Sequence, residues 1–389
     1  MPSWMDTTRL TLLGALLFAG PAWGQFAPDV MVADRYLAPD GSIQSNMTIS
    51  FSHGKIKSIR PGKPPANAER VIHHPNAVVF PGLIDVRSTL GTLGRTSESA
   101  LSIDPAASAV DLIDVTHRDF RLAIRAGVTT VMVAPAANNL VSGVAATLKT
   151  AAVVGHERFV RSDGPLMFAL GSSVWQRDRA PTSRIGSLAM LRESLEDARA
   201  GRGHERLVQF MAGGLDGIVV CEESQDVSAA LRTFGGGSAR FHIVYGGDAH
   251  DLARELRGKR PIIVVGPFGL ETPPGTIAFA ATMAGENVPV VFAGGSPGQG
   301  YDSLRLSAAL AVRYGMDPAD ARLAITSRAA ELAGVGDRVG SLRPGYDADL
   351  VVFSDDPLRL DARILEVYVS GVRVFRESAM PLQNERNTP

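Results

Sequence analysis

The sequence predicts an α/β fold in which a (β/α)8 TIM-like barrel carries a composite β-sandwich built from both chain ends. Three observations lead to this expectation. Eight short, uniformly apolar runs alternate with helical patterns in the middle of the chain. Amphipathic strand patterns occur before and after that region. The 389 residues, 45% of them hydrophobic, are enough for a barrel and a second core.

The first 24 residues have the features of a secretory leader. Arg9 precedes an apolar run from Leu10 to Gly20, and an Ala-Trp-Gly cleavage pattern comes before Gln25. The apolar run is shorter than the roughly 20 residues that span a bilayer. We therefore expect a signal peptide at residues 1–24, translated from Met1 or Met5. The mature protein is expected to be exported, to the periplasm, with no attachment to the membrane after cleavage.

Residues 25–80 and 336–378 are predicted to form the two parts of the sandwich. The first part has a turn at Pro39–Gly41 and a hairpin around His53 and Gly54. The second part repeats the alternating pattern in "DADLVVF" and "ILEVYVSGVRVF". Each piece has too few strands to fold alone, so we expect them to combine. Residues 379–389 are a polar tail.

Residues 81–335 are predicted to form the barrel. Apolar runs without alternation are typical of strands buried on both faces of a parallel sheet. An open doubly wound sheet is the alternative, weakened because no GxGxxG follows the first strand. A late helix is predicted from an N-cap at Asp317 with Pro318 next to it, and to run as far as Gly334. The eight runs begin at Phe80, Val128, Val144, Leu166, Gly217, Arg240, Pro261 and Val288.

Charge and cysteine content exclude several classes of function. Lys plus Arg is 39 and Asp plus Glu is 40, so the net charge of −1 gives no reason to expect nucleic acid or anionic membrane as partners. The single cysteine, Cys221, excludes an intrachain disulfide and a cysteine-based zinc or iron–sulfur site.

Three segments resemble the amidohydrolase superfamily. "VVFPGLIDVRSTLG" is similar to its signature PGLIDxHxHxG, "AGVTTVMVAP" to its second barrel strand, and "AITSRAAELAGVGDRVGSLRPGYDADLVVFSDDPL" to its C-terminal segment. The resemblance runs from about Val30 to about Phe375 and looks nearest to the imidazolonepropionase-like exported members. It implies a metal-dependent barrel that hydrolyses C–N bonds of amides, cyclic amides or dipeptide-like substrates.

The family's metal-binding positions carry other residue types in this chain. The first-strand His-x-His pair falls at Arg87 and Thr89, and a guanidinium has no lone pair to give to a metal. None of the eight histidines forms a pair at strand or helix spacing at a strand end. The sequence therefore predicts a degenerate site with no metal, no other cofactor and no assignable catalytic residue. The remaining ligand positions fall near Met167, Val220 or Cys221, Tyr245 and Gly295.

The barrel mouth is instead predicted to bind a ligand. Arg87 suits a carboxylate or another anion, which it holds with two parallel hydrogen bonds. Glu222, in "CEES" at a strand end, and Tyr245 are predicted to line the same mouth, although a solvated or salt-bridged glutamate pair is the simpler interpretation of Glu222 and Glu223.

Three functions remain open from the sequence. The first is a non-catalytic amidohydrolase homologue whose barrel mouth binds either a small molecule, for which Arg87 favours an anion, or a partner protein. The second is a hydrolase with an atypical or metal-free site. The third is a structural subunit of a complex with an active paralogue. Because members of the family are often oligomeric, an oligomer is a further expectation.

Overall fold

The computed structural model describes residues 29–247, 252–259, 261–294 and 302–377. The leader at residues 1–24, the tail at 379–389, His250 and Gly295 lie outside the described residues. Among the helices of the described part, none has both the length and the apolar character needed to cross a membrane.

The strands are named in chain order. They are β1 (Asp29–Leu37), β2 (Ile43–Ser52), β3 (Lys55–Pro61), β4 (Arg70–His73), β5 (Val78–Pro81), β6 (Leu83–Ser88), β7 (Val128–Val133), β8 (Val141–Val144), β9 (Ala146–Lys149), β10 (Phe159–Arg161), β11 (Leu166–Ala169), β12 (Asp216–Val220), β13 (Arg240–Val244), β14 (Ile263–Val265), β15 (Val290–Phe292), β16 (Leu350–Phe353), β17 (Ile364–Val369) and β18 (Val372–Arg376).

The helices alternate with the strands after β6. They are α1 (Asp119–Arg125), α2 (Arg184–Arg199), α3 (Glu205–Met211), α4 (Ser224–Phe234), α5 (Ala253–Lys259), α6 (Pro274–Gly285), α7 (Ser303–Arg313), α8 (Pro318–Ala324) and α9 (Ser327–Leu332). Short 3₁₀ turns occupy Ala109–Leu112 and Ser172–Val174.

Both chain ends contribute to one sheet. Its order is β18-β17-β16-β5-β1-β2-β3, with β4 paired to β1, and β16 lies antiparallel to β5. The sequence predicts a sandwich, whereas hydrogen bonds connect these strands into a single sheet. The sheet nevertheless curls over itself, because Phe51 of β2 contacts Tyr368 of β17 with ring centroids 6.0 Å apart although three strands separate β2 from β17.

The middle of the chain is a mixed α/β region. One sheet has the order β10-β9-β7-β6 and the other β15-β14-β13-β12-β11-β8. Only Ala145 separates β8 from β9, so one segment links the two sheets. At the other side, the Gly294 amide donates to Asp85 Oδ1 at 2.7 Å, but no ladder joins β6 to β15 in the described residues. Closure into a complete barrel stays a prediction.

The third apolar run does not have the predicted direction. The sequence suggested parallel strands throughout, yet β8 is antiparallel to β11 and β9 is antiparallel to β7. The reason is the connection from β7 to β8, which contains only residues 134–140. A parallel crossover needs about a dozen residues or more, so this short connection turns the chain back.

The late helix is divided in two. Asp317 is the N-cap of α8, as predicted, and its side chain accepts from the amides of Ala319 and Asp320. The helix ends near Ile325 because the Ile325 carbonyl accepts from the amide of Ile84 in β6 rather than from its own next turn. α9 then packs its apolar residues, Leu332 among them, into the same buried cluster as Ile84, Met167 and Val264 of the strands.

Candidate functional site

Arg87 lies at the carboxyl end of β6 and is exposed to solvent. Desolvation lowers the pKa of its guanidinium, while the neighbouring Asp85 carboxylate acts in the opposite direction. The guanidinium stays charged, because an arginine is not deprotonated in proteins. The Arg87 side chain makes no hydrogen bond with the described residues and no ion pair with any of them within 4.0 Å.

Asp85 fixes the backbone beneath Arg87. The buried carboxylate accepts from the Arg87 amide at 3.0 Å and from the Gly294 amide at 2.7 Å, while burial raises its pKa. Gly294 has no room for a side chain, since a Cβ there would lie 2.6 Å from Asp85 Cγ. Asp85 thus ties the end of β6 to the segment after β15. The "PGLID" segment contained this residue, but its partner could not be read from the sequence.

Glu222 lies two residues beyond the end of β12, at the strand end where it was expected, but its carboxylate is already occupied. Oε2 accepts from the amide and hydroxyl of Ser172 at 2.8 and 2.7 Å, and Oε1 from the amide of Ser173 at 2.9 Å. Burial alone raises the pKa of this carboxyl, but these hydrogen bonds outweigh it and lower the pKa to about 2. Glu222 therefore anchors the 3₁₀ turn after β11, and Glu223 pairs with Arg184 at 2.7 Å.

Tyr245 does not line the mouth in the predicted way. Its buried ring packs edge-on against Phe279 of α6, with centroids 5.6 Å apart, in the apolar layer between strands and helices. The amide of Tyr245 donates to the Val264 carbonyl, which continues the pairing between β13 and β14. The side chain thus faces the helices, because residues at the end of a strand alternate between its two faces.

The donor set at the family's metal positions does not fit a metal ion. Met167 belongs to the apolar interior cluster, and Cys221 is buried in apolar surroundings that raise the pKa of its thiol. Within the described ranges, no three side chains of His, Cys, Asp or Glu converge. His242 is engaged elsewhere, since its Nδ1 accepts from the Ile262 amide at 3.2 Å and burial lowers its pKa.

A second recess lies at the rim of the same strand ends and was not predicted. Loops that follow β6, β7 and β11 enclose a cavity of about 290 Å³. It combines two arginines with hydroxyl and amide side chains. No sequence pattern indicates this recess, because its residues come from three loops that no spacing connects. The residues with polar side chains that line it are Arg95, Thr96, Ser97, Ser99, Asn138, Gln176 and Arg179.

Lys149 belongs to a third charged cluster. This cluster lies at the edge of the strands opposite to Arg87, because β9 runs antiparallel to β7. The side chain is only 2% exposed and contacts Asp349 closely and Asp347 Oδ2 at 3.0 Å. Lys55 and Arg338 also pair with Asp347. Both aspartates belong to the "DADLV" segment, so that segment joins the α/β region to the curled sheet.

Comparisons with known proteins agree with this architecture. A model of the "Amidohydrolase family" matches residues 295–375. The "Amidohydrolase tasK" of Hapsidospora irregularis is 25% identical over 208 residues, which are 51% of this chain and 20% of that protein. The chain thus matches about a fifth of the length of that curated relative.

Solved structures share the fold over nearly the whole described chain. An amidohydrolase from Thermotoga maritima MSB8 superposes with a TM-score of 0.80 at 23% identity, covering 90% of this chain and 100% of that one. A prolidase in complex with N-methylphosphonate-L-proline gives a TM-score of 0.58 at 15% identity, with 90% and 100% covered. The solved structures show the fold that this chain shares, and the family model together with the PGLID and DADLV segments supports its similarity to the amidohydrolase superfamily.

Proposed function

We propose that this protein binds a small, carboxylate-bearing molecule at the carboxyl ends of its central strands and does not hydrolyse it by metal-assisted chemistry. The observation that carries the proposal is Arg87. A guanidinium that is desolvated, accessible and without a partner among the described residues is suited to hold a carboxylate by two parallel hydrogen bonds.

The same residue disfavours a metal at this place. A catalytic site needs about three protein ligands and one open position. Arg87 stands where the family pattern has a histidine, and the repulsion between unit charges ~4 Å apart is about 4 kcal/mol at an effective dielectric of ~20. For a dication the repulsion doubles. Met167 and Tyr245 supply no compensating donor, because one is in the apolar interior and the other faces α6.

The ligand class follows from the geometry and from the superfamily. One structural neighbour holds a proline derivative, as its name states. A dipeptide-like molecule with a free carboxylate is therefore the class we propose for this chain. The proposal includes export to the periplasm, which the leader pattern suggests and which the intact mass of periplasmic protein would test.

A binding experiment tests the proposal directly. Titration calorimetry with glycyl-L-proline should give binding without turnover, and the neutral amide glycyl-L-prolinamide should bind at least about ten-fold more weakly (~1.4 kcal/mol). Arg87→Gln should remove that preference for the charged dipeptide. Arg118→Gln is the matched control, because the Arg118 side chain is 82% exposed on another part of the surface.

Two outcomes would contradict the proposal. The first is stoichiometric zinc in the purified protein together with hydrolysis of the dipeptide that is lost on metal removal. The second is equal binding of the dipeptide and its amide to the wild-type protein. The first outcome would restore the hydrolase interpretation, and the second would remove the role of Arg87.

A further inference from the structure

The rim recess between the loops after β6, β7 and β11 has the size of a site for a small metabolite. Its volume is about 290 Å³. Pockets for drug-sized ligands begin at about 300 Å³, so the volume of this recess suits a small molecule. The recess is lined by residues other than Arg87, and the inference drawn from it goes beyond the proposed function.

Arg179 is held in place by three of its five N–H donors. Nη1 donates to Ser102 Oγ at 3.1 Å, and Nη2 donates to the Asn138 carbonyl at 3.0 Å and to Asn139 Oδ1 at 2.5 Å. The buried Nε has no hydrogen-bond partner among the described residues. Nη1 uses only one of its two N–H groups in these contacts, so the guanidinium retains a donor for a ligand in the recess.

Two more groups in the recess lack partners in the described part of the chain. Asn138 Oδ1 is buried and accepts no hydrogen bond. Arg95 is exposed and lines the same cavity without an ion pair within 4.0 Å. The nearby acid, Glu98, already accepts from the amides of Ser99 and Ala100 at 2.7 Å each, so it does not neutralise both arginines.

These groups together define a ligand chemistry. We propose that the rim recess binds a small hydroxycarboxylate, of the kind found in sugar acids. The carboxylate would accept from the guanidinium groups of Arg95 and Arg179, and an adjacent hydroxyl would lie beside the side chain of Asn138. The side chains of Thr96, Ser97 and Gln176 provide further donors and acceptors for a polyhydroxylated chain.

The test uses three six-carbon probes that separate charge from hydroxyl groups. Gluconate has both, sorbitol has hydroxyls without the charge, and hexanoate has the charge without hydroxyls. Titration calorimetry should show gluconate binding about ten-fold more tightly than either of the others (~1.4 kcal/mol). Gluconate binding that is no tighter than sorbitol or hexanoate binding would overturn the proposal.

Single substitutions test whether gluconate binds in this recess. Arg95→Gln at the exposed edge should weaken gluconate binding several-fold without changing the melting temperature, and Arg179→Gln should weaken it more. Asn138→Leu should remove the preference for gluconate over hexanoate, an effect that a purely structural role would not produce. Arg177→Gln is the matched control, since Arg177 is exposed in the same loop but does not line the cavity.

The Arg87→Gln variant distinguishes the two sites. Gluconate binding that survives Arg87→Gln but falls in Arg95→Gln supports the rim site, whether or not the dipeptide proposal holds. Gluconate binding that is lost only in Arg87→Gln would overturn the rim proposal and locate the anion at β6. If Arg179→Gln does not fold, the Arg95→Gln result alone decides, because that exposed side chain makes no hydrogen bond or ion pair with the described residues.

Discussion

Lys149 and Arg87 are cations at opposite edges of the same set of strands. They differ in their exposure to solvent and in the carboxylates that they contact. Lys149 is 2% exposed and contacts two carboxylates. Arg87 is exposed and contacts none within 4.0 Å in the described residues. A charge whose partners come from its own chain serves stability, whereas a desolvated charge without such partners is available to a ligand. The expected effects of substitution separate the two roles.

The largest effect should come from Lys149→Met. Removing the lysine leaves Asp347 and Asp349 buried without their shared cation, and breaking such a pair costs about 3–5 kcal/mol of the free energy of unfolding. Urea denaturation measures this loss. Lys57→Met, at an exposed lysine of β3, should change the free energy by less than about 0.5 kcal/mol. A loss below about 1 kcal/mol for Lys149→Met would show that the buried ion pairs of Lys149 do not serve stability, which contradicts the comparison with Arg87.

Gly294→Ala should have the next largest effect, because it disturbs the buried charge beneath Arg87. The added Cβ would lie 2.6 Å from Asp85 Cγ, which forces the strand ends apart. We expect a loss of about 1–3 kcal/mol in the free energy of unfolding. Gly269→Ala is the control, since a Cβ there meets nothing within 4 Å. Equal stability of both variants would show that the Asp85 contact is loose.

Glu222→Gln should change how the free energy of unfolding depends on pH more than it changes the free energy of unfolding at neutral pH. The folded-state pKa of about 2 lies below the ordinary value of 4.5, so the stabilisation is complete above pH 4.5 and is lost as the pH falls toward 2. The wild type should lose more stability between pH 6 and pH 3 than Glu222→Gln, by no more than about 1 kcal/mol because the side chain is exposed.

Thermal denaturation at the two pH values measures this difference. Glu193→Gln, at an exposed position of α2, should behave like the wild type. If Glu222→Gln has the same acid sensitivity as the wild type, the hydrogen bonds from Ser172 and Ser173 do not hold the carboxylate in solution.

Arg87→Gln should have the smallest effect on folding. With no partner in the described residues, loss of the guanidinium should change the free energy of unfolding by no more than about 0.5 kcal/mol. Urea denaturation measures the effect of this substitution on stability, and the dipeptide titration measures its effect on ligand binding. A destabilisation comparable to that of Lys149→Met would mean that Arg87 is structural, and the proposed function would lose its main support.

Local signals in the sequence were sufficient for much of the fold. The Asp317–Pro318 pair marked the start of α8 because an N-cap acts on amides two and three residues away. The "PGLID" segment marked β6. The direction of the third strand was missed, although the seven residues between β7 and β8 could have indicated a return.

Long-range partners limited what could be inferred about the site. Arg87 lies at a strand end as expected, whereas the side chain of Tyr245 faces α6 and Glu222 is bound by a loop 50 residues earlier in the chain. The partners of Lys149 lie about 200 residues later. Such pairings depend on the completed fold, which is also why the rim recess left no pattern in the sequence.

The pairing of β16 with β5 has a consequence for the order in which the chain can mature. Until residues 350–353 are available, β5 has a hydrogen-bonding edge with no strand beside it, and Lys149 has no Asp349 to contact. Open edges of this kind recruit strands from other chains. The growing polypeptide thus carries an open strand edge from the synthesis of β5 until residues 350–353 emerge, and folding that waits for β16 avoids misassembly at this edge.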